Sequence, residues 1–584
     1  MRAAVRRVLA QESDRGIALP MVIGVTAALA ALMVAGVAFA TGALRNARSD
    51  QDWSAALAAA YAGVEEFESR LANDTSYFSY GNPAAPFSVG SSLTLPTGAA
   101  ANPAFGLGTS GTWATVAGSN GEAQFRYEVD NSSFYGDGRL RLRATGRAGG
   151  ETRSIVADLK QQGFIDFLYF TDYEVLDPQA VDPTDTTNCA IRHPNPRPDC
   201  TLINFTGADK INGPLHTNDA IRTNGAAQFL GKTSTSWQSG NGKNYIGTGN
   251  APSFKPGDPS YAATIGMPAT NSQLKKETRS DLPQDVPVTG CLYTGPTSIE
   301  FTSNGKMTVI SPWTQFTNTT GTGSTGGSNP AKCGTPGNGG LAKTTGSGGT
   351  LKYVGQTIDV PNNLVIFVQN VPPVAGDVNR TVSTTTPPGA SAVKCASTTS
   401  NNLGYPVANE EAPFPGSYGC RNGDVFIKGT LNGRTTVSAE NFVYVTGDLT
   451  YADKDDDMLG LVGQNAVFVW NPVRSNGTNL LSGSNRTIDA AILSVGHTFM
   501  VQNYGKGSNL GKLTVYGAIA QKFRGPVATG NGGTPSTGYA KDYNYDPRFY
   551  TTAPPKFLSP VTTTYGISVW VEVSPAFDAA GNSQ

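Results

Sequence analysis

Arg15-Gly16-Ile17-Ala18-Leu19-Pro20-Met21-Val22 opens an apolar run that reaches Ala43 without a charge. Trp53, Leu57, Ala60, Val64, Phe67 and Leu71 then recur at alternate spacings of four and three, an apolar stripe along one helical face. A helix from Ile17 to Leu71 would be about 80 Å long at roughly 1.5 Å per residue. Its first half exceeds the roughly 20 residues needed to span about 30 Å of hydrocarbon. Arg2, Arg6, Arg7 and Arg15 outnumber Glu12 and Asp14 ahead of it, which places the N-terminus in the cytoplasm and exports the remainder.

Three readings of this segment compete. Ala38-Phe39-Ala40 offers a small-x-small signal-peptidase site, but the run is longer than the 7–15 residues of a usual signal core. A plain N-terminal anchor is the second. In the third, the cut falls after Gly16 and the apolar helix is retained. The junction of Arg15-Gly16 with Ile17-Ala18-Leu19-Pro20-Met21-Val22 resembles the cleavage site of type IV prepilins. That resemblance implies a prepilin peptidase as partner, Gly16 as the last leader residue and Ile17 as the new N-terminus. Major pilins carry a glutamate at the fifth mature position; Met21 stands there, which points to a minor (PilX-like) subunit. Pro20 falls in the first turn, where a missing N–H is tolerated.

After a turn-rich stretch, three alternating runs follow: Phe125, Tyr127 and Val129; Leu140, Leu142 and Ala144; Ile155, Ala157 and Leu159. Asp137-Gly138 and Gly149-Gly150 separate them, so a helix plus a three-stranded antiparallel meander is expected, the plan of a pilin head. Arg139, Arg141 and Arg143 share one face and read as a solvated basic row.

The chain of 584 residues then continues far beyond such a head. With 69 Gly, 37 Pro and only 15% charged residues, short Val/Ile/Tyr-rich bursts between turns favour β structure over helix. A formal net charge of −1 argues against nucleic-acid binding by bulk electrostatics. Phrases such as Gly423–Gly429 and Asn441–Gly447 read as successive turns of a β-solenoid, with a β-sandwich as the alternative. Thr317–Thr350, rich in Gly, Thr, Ser and Asn, reads as a mobile surface loop. The phrases Ile211–Asn218, Met458–Val462, Arg524–Val527 and Gly538-Tyr539 through Tyr545-Asp546-Pro547-Arg548 resemble a group of large prepilin-like bacterial surface proteins.

Cys189, Cys200, Cys291, Cys333, Cys395 and Cys420 all follow the apolar run, which suits disulfides in an oxidising compartment. Sequential neighbours are the expected pairs. No CxxC spacing favours zinc or redox chemistry, and no GxSxG, HExxH or Cys/His arrangement points to an enzyme. His216 with Asn218 and Asp219 reads as a polar cluster serving a turn. Asp453, Asp455 and Asp457 alternate as in a calcium loop, yet Met458 and Gln464 replace the glycine and bidentate glutamate such loops need; a solvated turn competes with calcium binding. Lys522, Arg524, Tyr543 and Arg548 belong to a basic-aromatic stretch suited to DNA or a glycan, or to core tyrosines beside a basic surface.

The resulting expectation is a mainly β chain. It comprises a cytoplasmic leader (1–16), a transmembrane helix (17–43), its amphipathic continuation (44–72), a pilin-like α+β head (73–163), a β-rich solenoid-like region (164–523) and a basic-aromatic C-terminal segment (524–584). Its expected role is a non-enzymatic structural or adhesive component of a type IV pilus-like system in the cell envelope. Its expected partners are other pilin-like subunits, the membrane, and an extracellular ligand such as DNA or a glycan. A DNA-uptake pilin and a surface protein unrelated to pili are the alternatives.

Overall fold

A single helix, Ala18–Asn73, runs through both the apolar run and the amphipathic stretch without a break. The computed structural model describes residues 18–134, 139–161, 163–388, 393–397, 399–481, 485–530, 535–560 and 565–584. Gly16, Ile17 and the expected Asp137-Gly138 turn lie outside the described residues. The chain divides into two compact units, one of residues up to Ser132 with Leu140–Leu159 and Val569–Gln584, the other of Ser133–Arg139 and Lys160–Ser568.

In the first unit the helix packs on a sheet of five strands among the described residues. Their order is Ala114–Thr115, Ala123–Asp130, Arg139–Ala148, Glu151–Gln161 and Tyr565–Val573. Phe125, Tyr127, Val129, Leu140, Leu142, Ala144, Ile155, Ala157 and Leu159 are all buried, as their alternation dictates. Arg141 and Arg143 are not a bare basic row: they bond Asp158 at 3.1 Å and Glu128 at 2.6 Å on flanking strands.

Ala56, Ala59, Ala60, Val64, Phe67 and Leu71 form the buried face of the helix, whereas Trp53 is 47% exposed. Gly146 sets how closely the sheet approaches this face: a Cβ there would lie 2.1 Å from the Ala56 carbonyl and 2.3 Å from the Ala60 nitrogen. Only small helix residues allow the strand this close. Trp53 instead lies under the Arg153 guanidinium, 4.4 Å from its ring centroid.

The fifth strand is the main departure from the expected segmentation. Residues 569–584 group with the head rather than with residues 524–568, so the large region is inserted into the head in sequence. Tyr61 and Trp570 meet at 4.8 Å, Arg153 pairs with Glu572, and the Ala576 amide donates to Ser154 at 2.9 Å. Phe577 is buried beside Trp113 and the Arg126 guanidinium.

The second unit is a stack of parallel strands. Cys291–Thr294, Leu364–Gln369, Arg434–Ala439, Met458–Gly463, Arg486–Ser494 and Asn509–Phe523 pair in that order. Asn509–Phe523 then pairs with Tyr169–Tyr173, which leads to Leu215–Thr217, Thr233–Thr235 and Ser260–Tyr261. The chain thus starts in the middle, builds outward to Tyr261, crosses to the far end at Cys291 and returns strand by strand to its own beginning. Val368, Val437, Leu461, Ile492 and Ile519 belong to one core, and Val365, Phe367, Val462, Leu493 and Ala520 to another. Strands buried on both faces explain the near-continuous apolar bursts.

Disulfides join Cys189–Cys200, Cys291–Cys333 and Cys395–Cys420, the sequential pairs. Thr317–Thr350 is not a free loop. It contains a hairpin, Asn318–Thr320 with Gly326–Ser328, and Cys333 and Leu341 are buried; the disulfide to Cys291 draws it onto the stack.

Gly146→Val is expected to destabilise the head by about 3 kcal/mol or more, since the helix backbone leaves no room for relaxation. Thermal unfolding of the full chain, with a surface change such as Glu122→Gln as control, measures it.

Candidate functional site: an apolar stem and a buried charge junction

The helix presents two chemistries along its length. From Leu19 (71% exposed) to Phe39 (80%) and Leu44 its apolar side chains are uncovered on every face, and this part is long and apolar enough to cross a membrane. Its hydroxyls are satisfied internally: Thr26 donates to the Val22 carbonyl at 2.8 Å and Thr41 to the Val37 carbonyl at 2.9 Å. Such back-bonding is what an apolar surrounding requires. Beyond Arg45 and Arg48, the helix becomes the spine of the head.

Within the β-rich unit, charge concentrates where its first and last strands meet. Arg524, fully buried, pairs with the equally buried Glu174 at 2.8 Å and lies 3.5 Å from the Phe205 ring centroid. Lys541 pairs with Asp209 at 2.9 Å. Burial pushes the Asp209 carboxyl up, but Lys541 and Arg524 outweigh it and leave the group below its ordinary value. Asp219 accepts from the Glu174 amide at 2.9 Å, from the His193 amide at 2.8 Å and from Arg197.

His216 is sealed in the same region, with Nδ1 2.9 Å from the Ser234 hydroxyl and Nε2 3.1 Å from Asn218 Oδ1. Burial lowers its pKa to about 4, so the ring is neutral at physiological pH. Asn218 in turn donates to Asp172 at 2.8 Å. With its ring nitrogens engaged and no solvent access, His216 ties its strand, Leu215–Thr217, to the neighbouring one; it sits within a strand rather than in the turn that the sequence suggested.

The sequence-derived ligand residues do not form one surface. Arg524 and Tyr543 are inside, Tyr543 stacking 6.2 Å from Tyr169. Arg548 folds back onto Asp546 at 2.6 Å, and Lys522 is half-buried near the Phe523 ring. The basic-aromatic stretch therefore reads as core tyrosines and internal ion pairs, because Thr537–Tyr545 is a strand between Asn509–Phe523 and Lys210–Asn212. Alternation of Tyr539, Tyr543 and Tyr545 with Ala540, Asp542 and Asn544 was the available signal for such a strand, and it puts Lys541 on the tyrosine face.

Asp453, Asp455 and Asp457 likewise serve the backbone. Asp457 is buried and accepts from the amides of Gly433 at 2.6 Å and Asp453 at 2.7 Å, while Asp453 accepts from the Asp455 amide at 2.8 Å. Among the described residues no group of three or more His, Cys, Asp or Glu is arranged to hold a metal ion.

Asp424 was missed in the sequence. It is fully buried at a strand turn, where its carboxylate accepts from the Asn441 amide at 2.6 Å and the Phe442 backbone at 3.2 Å. Burial raises its pKa to about 7.

No family model matches the sequence, and no curated protein matches it. A solved structure described as the competence-associated pilin ComZ from Thermus thermophilus aligns with 89% of this chain and 97% of its own at 11% identity. The TM-score of 0.22 is too low for a shared fold to be argued from it.

Arg524→Met should destabilise the β-rich unit by about 3–5 kcal/mol by leaving Glu174 buried and unpaired, and Arg524→Met with Glu174→Leu should recover most of that loss. Denaturant unfolding of both variants tests this. For Asp424 the folded chain holds the proton more tightly than the unfolded one. Its stability contribution is therefore full below the ordinary carboxylate pKa of about 4 and is lost as pH rises through about 7. Asp424→Asn should flatten the fall in thermal midpoint between about pH 4 and about pH 7, the interval those two values bound.

Proposed function

We propose that this chain is a pilin-like component of a type IV pilus-like cell-surface system, of the minor rather than the major kind. Prepilin peptidase removes residues 1–16, and Ile17 becomes the N-terminus. The apolar half of the helix is held first in the membrane and then among the helices of other pilin-like subunits. The observation that carries this reading is the division of one unbroken helix, Ala18–Asn73, into an uncovered apolar half and a half that is the spine of an α+β head. A secretory signal has no need of that continuity. Met21 at the fifth mature position supports a minor subunit.

On this reading the β-rich unit is the displayed body, structural or adhesive, and its architecture is a β-solenoid. Support comes from the parallel registers that carry Ile366 to Val437, Val437 to Leu461, Leu461 to Ile492 and Ile492 to Ile519. A β-sandwich would pair its strands antiparallel. The DNA-uptake alternative is less supported, since Arg524 and Tyr543, two of the four residues singled out for it, are buried.

Sequencing the N-terminus of the mature protein is the decisive experiment. Ile17 is the expected first residue. Thr41 would instead mean a cleaved secretory signal, and an intact Met1 a simple anchor; either result would end the pilin-like reading.

A further inference from the structure

The two ends of the parallel stack are finished differently. At the far end Thr297–Thr302 pairs antiparallel with Lys306–Ile310, which pairs in turn with Gln356–Asp359. There the edge strand Cys291–Thr294 is also covered: the Leu292 amide donates to the Thr317 carbonyl at 2.9 Å, and a disulfide fastens Cys291 to Cys333. At the near end the last turn of chain consists of Tyr245–Thr248, Ser253–Phe254 and Ser260–Tyr261, each parallel to a strand of the turn beneath. Among the described residues no strand pairs with the outer edge of any of the three. This end is bare.

A bare strand edge offers a row of N–H and C=O groups to another chain, and natural proteins blunt it with a charge, a proline or a cap. Tyr245-Ile246-Gly247-Thr248 holds neither a charge nor a proline, and Pro252, Pro256 and Pro259 stand in the turns rather than in the strands. An interior row of rings also ends here: Phe205, Phe229 and Phe254 lie 5.1 and 4.6 Å apart, Phe254 is only half-buried, and Tyr261 is 54% exposed.

Whatever docks must present a β-edge of the same outline, and a second copy of this end does. A two-fold axis through the middle of Tyr245–Thr248 lays that strand antiparallel on its own copy. It also lays Ser253–Phe254 on the copy's equivalent of Ser260–Tyr261, so a four-residue strand meets its own length and the two-residue strands meet each other. The axis leaves through the turn joining those two short strands. Lys255 then falls beside Asp258 of the partner subunit, and by symmetry the contact forms twice. Both side chains are exposed, and neither forms an ion pair among the described residues.

We propose that the β-rich units of two copies of this chain join end to end through this bare turn of strands, as a two-fold dimer. The pairing rests on the parallel stack alone and is independent of the pilin-like reading.

The test uses the full-length protein, one chain to each phosphatidylcholine nanodisc, so that apolar stems cannot meet. Sedimentation from about 1 to about 50 micromolar should show discs pairing reversibly with rising concentration. Lys255→Glu sets like charges together at two symmetric places and should weaken pairing by at least about tenfold, and Asp258→Lys should do the same. The double variant, Lys255→Glu with Asp258→Lys, restores opposite charges and should return the affinity to within about threefold of the original. A purely structural role for either side chain would not be rescued by the swap. Four results would overturn the proposal: single discs throughout, pairing indifferent to both single changes, no rescue by the double variant, or growth into chains of more than two. N-terminal sequencing decides the pilin-like reading without touching this measurement, so the two failures are separable.

Discussion

The pairing of Tyr169–Tyr173 with the end of Asn509–Phe523 is the contact on which the β-rich unit depends. On either side of it, strands add in sequence order; here the first strand of the unit meets the longest one. Thr537–Tyr545 makes a second link between the same two halves, pairing with Asn509–Phe523 on one side and Lys210–Asn212 on the other, so the two pairings together close the stack and leave no open parallel edge at its middle. The Arg524–Glu174 pair sits at the seam with no solvent on either partner. Desolvating two charges is expensive, and the pair is tolerable because each partner is held by the other and by neighbours: the Phe205 ring lies under the guanidinium, and Asp219 holds the Glu174 backbone. A slipped register would strand a charge in the core, so the pair specifies the seam more than it strengthens it.

Of the phrases that resemble prepilin-like surface proteins, Ile211–Asn218, Arg524–Val527 and Gly538–Arg548 lie at this seam, whereas Met458–Val462 lies two strands away. Gly213 packs against Leu168 and Tyr545, His216 pairs across to Phe170, and Tyr545 donates to the Ile165 carbonyl at 2.8 Å. The head follows the same logic with its own distant strand, since Tyr565–Val573 completes a sheet begun at Ala114. Both units therefore close only when segments hundreds of residues apart are present together. Contacts of such range form slowly, because loop-closure entropy is lost before any pairing is gained.

The unusual composition also finds its explanation in the interior. Asn271 donates to Ser438 and to the Ala439 carbonyl, Asn379 accepts from the Gln315 and Phe316 amides, and Asn441 bonds Asp424. Asparagine, threonine and aspartate thus satisfy backbone groups where strands end and the chain turns. A chain poor in charge and rich in such residues folds because these side chains substitute for water at buried turns.

Much of this molecule was legible without coordinates. The long helix and the alternating strands of the head follow from local spacing, because a helix or strand declares its period within a few residues; the sequential disulfides were an expectation among fifteen pairings that the fold then selected. The calcium and ligand readings were not safe, because exposure is not local: Tyr543 looks like a surface group until the strand at 210–212 pairs beside it, and Arg524 until Glu174 and Phe205 enclose it. Trp53 is the converse, an apolar residue in phase with the buried stripe that is left 47% exposed beside the Arg153 guanidinium. Sequence alone determined the elements and the apolar stem. Only tertiary structure decided the order in which strands stack, the return of the last strand to the head and which charges are buried, since parallel pairing over such separations leaves no mark in the neighbouring residues.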